Sequence, residues 1–130
     1  MEQSRIDLTQ AEWQVMECLW EQAPRTGREA AEYMARRTGW GRATTLTPLQ
    51  RLEDKGAVSS REEGRKKVFS PVLRREDAAL QETEDFLTRV YNGSVSLLVS
   101  SMTRRQALPQ EEIDQLYALL QQLEDQKGAD

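Results

Sequence analysis

Two Thr-x-x-Glu tetrapeptides, Thr9-Gln10-Ala11-Glu12 and Thr26-Gly27-Arg28-Glu29, fix the origins of two short helices near the front of the chain. In such a box the hydroxyl and the carboxylate each satisfy a backbone N–H that a helix start leaves free. The first helix must end before the second begins, and Pro24 closes it. Ala11, Val15 and Leu19, with Met16 and Trp20, recur at helical spacing as its apolar stripe. The second helix carries Ala30, Ala31, Tyr33 and Met34 and closes near Gly39. A third is expected from at or just after Gly41 to Gly56, the glycine acting as C-cap. Pro48 lies past its first turn, where a missing N–H predicts a kink or a later start of the regular helix.

From Ala57 the period changes. Residues 57–61 and 67–70 read as two short strands flanking Glu62-Glu63-Gly64-Arg65-Lys66, a turn in which Gly64 supplies a positive φ. Three short helices followed by a hairpin with a basic tip form the winged helix-turn-helix pattern. The fold class is therefore mainly α with a small β-hairpin: a winged helix-turn-helix DNA-binding domain over 1–73, then a helical dimerisation domain over 74–130.

The second part is helical to its end. Residues 73–92 carry Phe86, Val90 and Tyr91, and Asn92-Gly93 marks a break. Val95, Leu97, Leu98, Val99 and Met102 are too dense for one face of an isolated short helix. Pro109 suits a helix start, with Glu111 and Glu112 favoured in the first turn by the helix dipole. Ile113, Leu116, Tyr117 and Leu120 continue the last stripe. Three short helices cannot bury this apolar surface alone. Phe86, Val90, Tyr91, Val95, Leu98, Val99, Met102, Ile113, Leu116, Tyr117 and Leu120 are thus expected to pack against a second copy.

Composition narrows the chemistry. The chain has 130 residues, one cysteine and no histidine. Without histidine there is no Ser-His-Asp triad, no Cys-His pair and no mixed histidine site for zinc or iron. No enzyme, cofactor or metal site is expected, and the charge-dense carboxylates read as solvated helix faces. Cys18 reads as a packed thiol. The net charge of −4 hides an asymmetry: residues 1–75 carry +3, residues 76–130 carry −7, and the span from Arg25 to Arg75 carries +7. One half meeting phosphate and the other not would produce that split. No run approaches the roughly 20 apolar residues of a membrane span. Met1-Glu2-Gln3-Ser4 lacks the features of a secretory leader, so the expected location is cytoplasmic, without membrane insertion.

The ordered pieces Ala11-Glu12-Trp13-Gln14-Val15-Met16 with Leu19-Trp20, then Trp40, Thr44, Thr47, Arg51-Leu52 and Lys55-Gly56, resemble a known family. So do Glu63-Gly64-Arg65 and Phe86-Leu87-Thr88-Arg89-Val90-Tyr91-Asn92-Gly93. The likeness is to the penicillinase, methicillin-resistance and copper-transport repressors (the BlaI/MecI/CopY family) over nearly the whole chain. The cysteine-free tail, Glu124 to Asp130, sets it apart from the copper-responsive branch. The resemblance to the β-lactam-responsive branch implies a homodimer on a palindromic double-stranded DNA operator. It also implies release when a membrane sensor-protease pathway cuts the dimerising half. The family's cleaved bond is Asn-Phe; aligning Val99 and Leu108 places Ser101–Met102 there.

In helix-turn-helix proteins the early residues of the recognition helix reach base edges. Here these are Arg42, Ala43, Thr44, Leu46 and Thr47, and the resemblance adds Arg51. The competing account of the two threonines is simple helix capping and packing. Ala43 and Leu46 stand where the family often has Lys, Arg or Gln, and Pro48 replaces a larger aliphatic residue, so the operator is expected to differ. Arg65, Lys66 and Lys67 at the wing are expected on phosphate or at the minor-groove edge. Trp13, Trp20 and Trp40 read as core or backbone supports. The competing reading is a winged-helix regulator or protein-interaction module with a different induction signal.

Overall fold

The computed structural model describes residues 5–105 and 108–128; the leader reading at Met1–Ser4 lies outside them. The chain divides into two compact units, Met1–Leu80 and Gln81–Asp130.

The first unit opens with α1 (Gln10–Glu21) and α2 (Gly27–Thr38), and both capping boxes are present in full. Thr9 and Thr26 accept from the N–H groups of Glu12 and Glu29, whose carboxylates accept in return from the threonine N–H groups. Gly39 ends α2 at φ 77°. Helix α3 (Arg42–Lys55) ends at Gly56, φ 86°. Such a left-handed terminus admits glycine at little steric cost.

Pro48 neither breaks α3 nor delays its start: the helix runs continuously through it. The ring is buried beside Leu49 and Leu52, so its apolar surface offsets the lost hydrogen bond.

The hairpin is longer and tighter than the alternation suggested. Strand β2 (Val58–Glu63) pairs antiparallel with β3 (Lys66–Pro71), Glu63 opposite Lys66, and Gly64 takes φ 65°. The charged ends read as turn are ladder residues, because the backbone pairs whatever side chains face water. A two-residue strand β1 (Arg25–Thr26), not foreseen, joins β3 on its other edge, giving the order β1-β3-β2. Two residues are too few for any alternation to register.

The core joins all three helices to the sheet. Val15, Met16, Cys18, Leu19, Ala30, Met34, Leu49, Leu52 and Ala57 are almost fully buried, with Val58 and Phe69 closing it from the hairpin. The tryptophans act as supports: Trp20 Nε1 donates to the Leu73 carbonyl at 2.9 Å, Trp13 meets Trp20 edge-on, and Trp40 packs partly against the core.

Helix α4 (Arg75–Tyr91) runs from the first unit into the second. After Asn92 (φ 52°) and Gly93 (φ 85°) come α5 (Val95–Arg105) and α6 (Gln110–Gly128). Neither α5 nor α6 buries a single residue, and α4 buries only Ala78.

Candidate nucleic-acid interface

Helix α3 starts differently from its two neighbours. Its N-cap is Gly41, and among the described residues no side-chain cap hydrogen bond is made at its first turn. An uncapped N-terminus with the positive end of the helix dipole is a ready anion site. Arg42 is the first helical residue, and Arg42, Ala43, Thr44, Thr47 and Arg51 are all exposed.

Thr45, between them, is buried and donates its hydroxyl to the Gly41 carbonyl at 3.3 Å. Leu46 is half-buried against the core. Its Cδ2 lies 3.2 Å from where a Cβ on Gly27 would stand, so glycine at that position lets α3 and α2 approach closely. Leu46 therefore sits at the inner edge of the exposed row.

A groove brings the wing to this helix. Arg42, Leu46 and Gln50 of α3 line it with Arg65, Lys66 and Lys67 of the hairpin and with Thr26, Gly27 and Arg28 at the start of α2. Of the residues proposed from sequence, Arg42, Leu46, Arg65, Lys66 and Lys67 meet here; Ala43, Thr44, Thr47 and Arg51 do not line it. Sequence reasoning missed Arg28 and Gln50. Arg28 had a signal, since a basic residue inside a capping box stands at the helix start.

Ion pairing separates the cations into two groups. Arg28, Arg37, Lys55, Arg61, Lys67, Arg74 and Arg75 each face a carboxylate within 4 Å. Lys67 is held 3.4 Å from Glu53 and over the Phe69 ring, while Glu53 also accepts from Ser60 and is thereby kept below the ordinary carboxylate pKa. Among the described residues, Arg42, Arg51, Arg65 and Lys66 of α3 and the wing form no ion pair, and neither do Arg25 and Arg36 outside them. Their positive charge is presented to water.

In the second unit Phe86, Val90, Val95, Met102, Tyr117 and Leu120 are exposed. Tyr91, Leu98, Val99, Ile113 and Leu116 are half-buried. Ser101 and Met102 lie inside α5; the Ser101 hydroxyl is 2.6 Å from that of Tyr91, and Met102 is exposed. No group of His, Cys, Asp and Glu among the described residues is arranged to hold a metal.

Three helices, a hairpin wing and unpaired cations along the third helix and wing define a winged-helix DNA-binding protein. Among known proteins, the family described as penicillinase repressor matches residues 8–122. The penicillinase repressor of Bacillus licheniformis is 30% identical over 120 residues, 92% of this chain and 94% of that protein. The methicillin resistance regulatory protein MecI of Staphylococcus aureus strain N315 is 23% identical, over 92% and 98%. The solution structure of the monomeric form of Bacillus licheniformis BlaI in complex with the blaP half-operator is similar over 55% of this chain and 88% of that one. Its identity is 29% and its TM-score 0.50. The chain belongs to the penicillinase repressor family, a family of transcriptional repressors rather than enzymes.

Proposed function

We propose that this protein represses transcription as a homodimer on a palindromic operator and is released by proteolysis in its helical half. The observation that carries the reading is the set of exposed, unpaired cations, Arg42, Arg51, Arg65 and Lys66, on one helix and one wing. In this reading the exposed Thr44 and Thr47 meet base edges in the major groove, Arg51 takes a phosphate, and the wing binds the backbone beside it.

The dimer rests on the apolar side chains of α4, α5 and α6, exposed without a partner in a single chain. Two linked half-sites make the second binding event intramolecular, which raises affinity by about 10²–10⁴. Cutting at Ser101–Met102 would abolish that gain without touching the reading head. The bond lies within a helix, so a protease reaches it only after α5 opens locally.

The test is fluorescence-anisotropy binding to DNA from upstream of the gene, at several salt concentrations and against scrambled competitor, with stoichiometry by sedimentation. Tight, competitor-resistant binding at two chains per site supports the reading; weak binding that follows salt alone refutes it. Mass spectrometry of the repressor from β-lactam-treated cells tests release, and a fragment ending at Ser101 is the expected product.

A further inference from the structure

A second basic pocket of about 460 Å³, sharing no lining residue with the recognition groove, is lined by Glu21, Gln22, Arg25, Tyr33, Arg36 and Arg37. The Arg25 Nε–H is shared between the Cys18 and Gln22 carbonyls at 3.3 and 3.0 Å. This holds the guanidinium 4.8 Å from the Tyr33 ring centre, and among the described residues no further hydrogen bond engages its two terminal amino groups. Arg37 donates to Tyr33 at 2.9 Å and to Glu21 at 3.1 Å and lies 5.2 Å from the same ring.

Glu21 is the pocket's one acid, and it is already engaged: the Tyr33 hydroxyl donates to it at 2.5 Å. Those two donors keep its carboxyl below the ordinary range, so it stays ionised and bound to Arg37. Arg36 is exposed and makes no ion pair among the described residues. Three guanidinium groups against one committed carboxylate leave two positive charges and several unused N–H donors around one space.

We propose that this pocket is a phosphate-binding site, separate from the recognition helix and wing. A phosphate monoester dianion matches both residual charges and a singly charged DNA phosphodiester matches one of them; in either, the non-bridging oxygens can accept from more than one guanidinium fork. The volume leaves room for the group that carries the phosphate. That group is either the sugar of a DNA backbone or a small phosphate monoester. Arg25 and Thr26 are consecutive, one lining this pocket and the other the recognition groove, and Glu29 feels both Arg25 and Lys66. An anion here is therefore electrically continuous with the DNA-reading surface.

The test uses the full chain and the exposed variant Arg36→Gln, which breaks no ion pair. Inorganic phosphate is titrated against chloride at constant ionic strength while the arginine Nε–H signals are followed by NMR. Saturable shifts at Arg25, Arg36 and Arg37, weakened about fivefold in Arg36→Gln, are expected. In parallel, anisotropy with a long non-specific duplex gives the salt slope. A slope reduced by about one in Arg36→Gln assigns the phosphate to DNA. Saturable phosphate binding with an unchanged slope assigns it to a free monoester. Shifts that follow ionic strength alone, together with an unchanged slope, overturn the site. Arg51→Gln and Arg65→Gln in the same assay report on the recognition surface alone, so failure of one reading is separable from failure of the other.

Discussion

The Lys55 ammonium lies 2.6 Å from the Glu12 carboxylate, tying the end of α3 to the start of α1. Glu12 is 1% exposed and Lys55 is 36% exposed, so the pair is buried from one side only. Burial raises the carboxyl pKa, but Lys55 and the Thr9 N–H and hydroxyl outweigh it and hold the group below its ordinary 4.5. A carboxylate lowered in the folded state stabilises above the unfolded value, and that contribution is lost as pH falls through the folded one. The stability difference between wild type and Glu12→Gln, which can keep the capping hydrogen bond, should be constant near neutral pH and shrink below pH 4.5. Thermal melts across that range check this; a gap that widened in acid would contradict it. Lys55→Met should cost about 2 kcal/mol, since Glu12 Oε2 already has no hydrogen-bond partner.

The same pair shows what a linear reading can and cannot reach. The capping role of Glu12 is local and was legible in Thr9-Gln10-Ala11-Glu12. Its bond to Lys55 joins residues 43 positions apart, and no spacing rule encodes it. The helices were legible because caps, glycine stops and apolar periodicity agree on them. Strand β1 was not, because two residues carry no period. The later helix start offered as one outcome at Pro48 did not occur, because burial in the core overrides a local preference. At the interface, residue types announced the basic wing. The pairing that immobilises Lys67 and leaves Arg65 and Lys66 open appears only when Glu53 is brought under the hairpin.

Neutralising an unpaired cation on the reading surface should change the salt dependence and not only the affinity. Each phosphate contact contributes about 0.9 to the slope of log K against log salt on duplex DNA. Arg65→Gln and Arg51→Gln should each lower that slope by about one and weaken specific and scrambled DNA alike if they touch phosphate. Anisotropy titrations at four or more salt concentrations measure it. An unchanged slope for Arg65→Gln would remove the wing from the interface.

The helical half makes a separable prediction. Leu120 is 56% exposed in the single chain, so Leu120→Asp removes little packing within the protomer. If α6 forms part of a dimer, the substitution buries a charge at the interface and should yield a monomer with little change in helix content. Chains ending at Ser100 should likewise sediment as monomers and bind operator about 10²–10⁴-fold more weakly. A variant or truncated protein that stayed dimeric would sink the assignment.

Cys18 tests the packing of the three-helix core. Burial pushes its thiol up from 9.0 to about 11, and Glu21 adds to the rise while Arg25 and Arg36 oppose it. The thiolate is the reactive form, and its scarcity outweighs its higher nucleophilicity, so at mildly alkaline pH the pKa alone slows disulfide-exchange labelling about 10-fold against a free thiol. Labelling with a chromogenic disulfide should be slow in buffer and rapid in denaturant. Fast labelling of the native protein would mean that α1 opens readily.

Gly41 offers the sharpest separation of stability from function. Its φ of −75° and ψ of 173° suit any residue, and a Cβ there would meet nothing within 4 Å. Aspartate should therefore cap α3, accepting from the N–H groups of its first turn and complementing the helix dipole. With the loss of glycine's freedom in the unfolded chain, Gly41→Asp should gain about 0.5–1 kcal/mol. If the start of α3 meets DNA, the same carboxylate would occupy its amides and repel phosphate beside Arg42. The melting temperature should rise by a few degrees while DNA affinity falls at least about tenfold. Gly41→Ser supplies a cap without the charge, so it should stabilise similarly and bind more tightly than Gly41→Asp. If Gly41→Asp bound DNA as tightly as wild type, the start of α3 would not be where this repressor meets its operator.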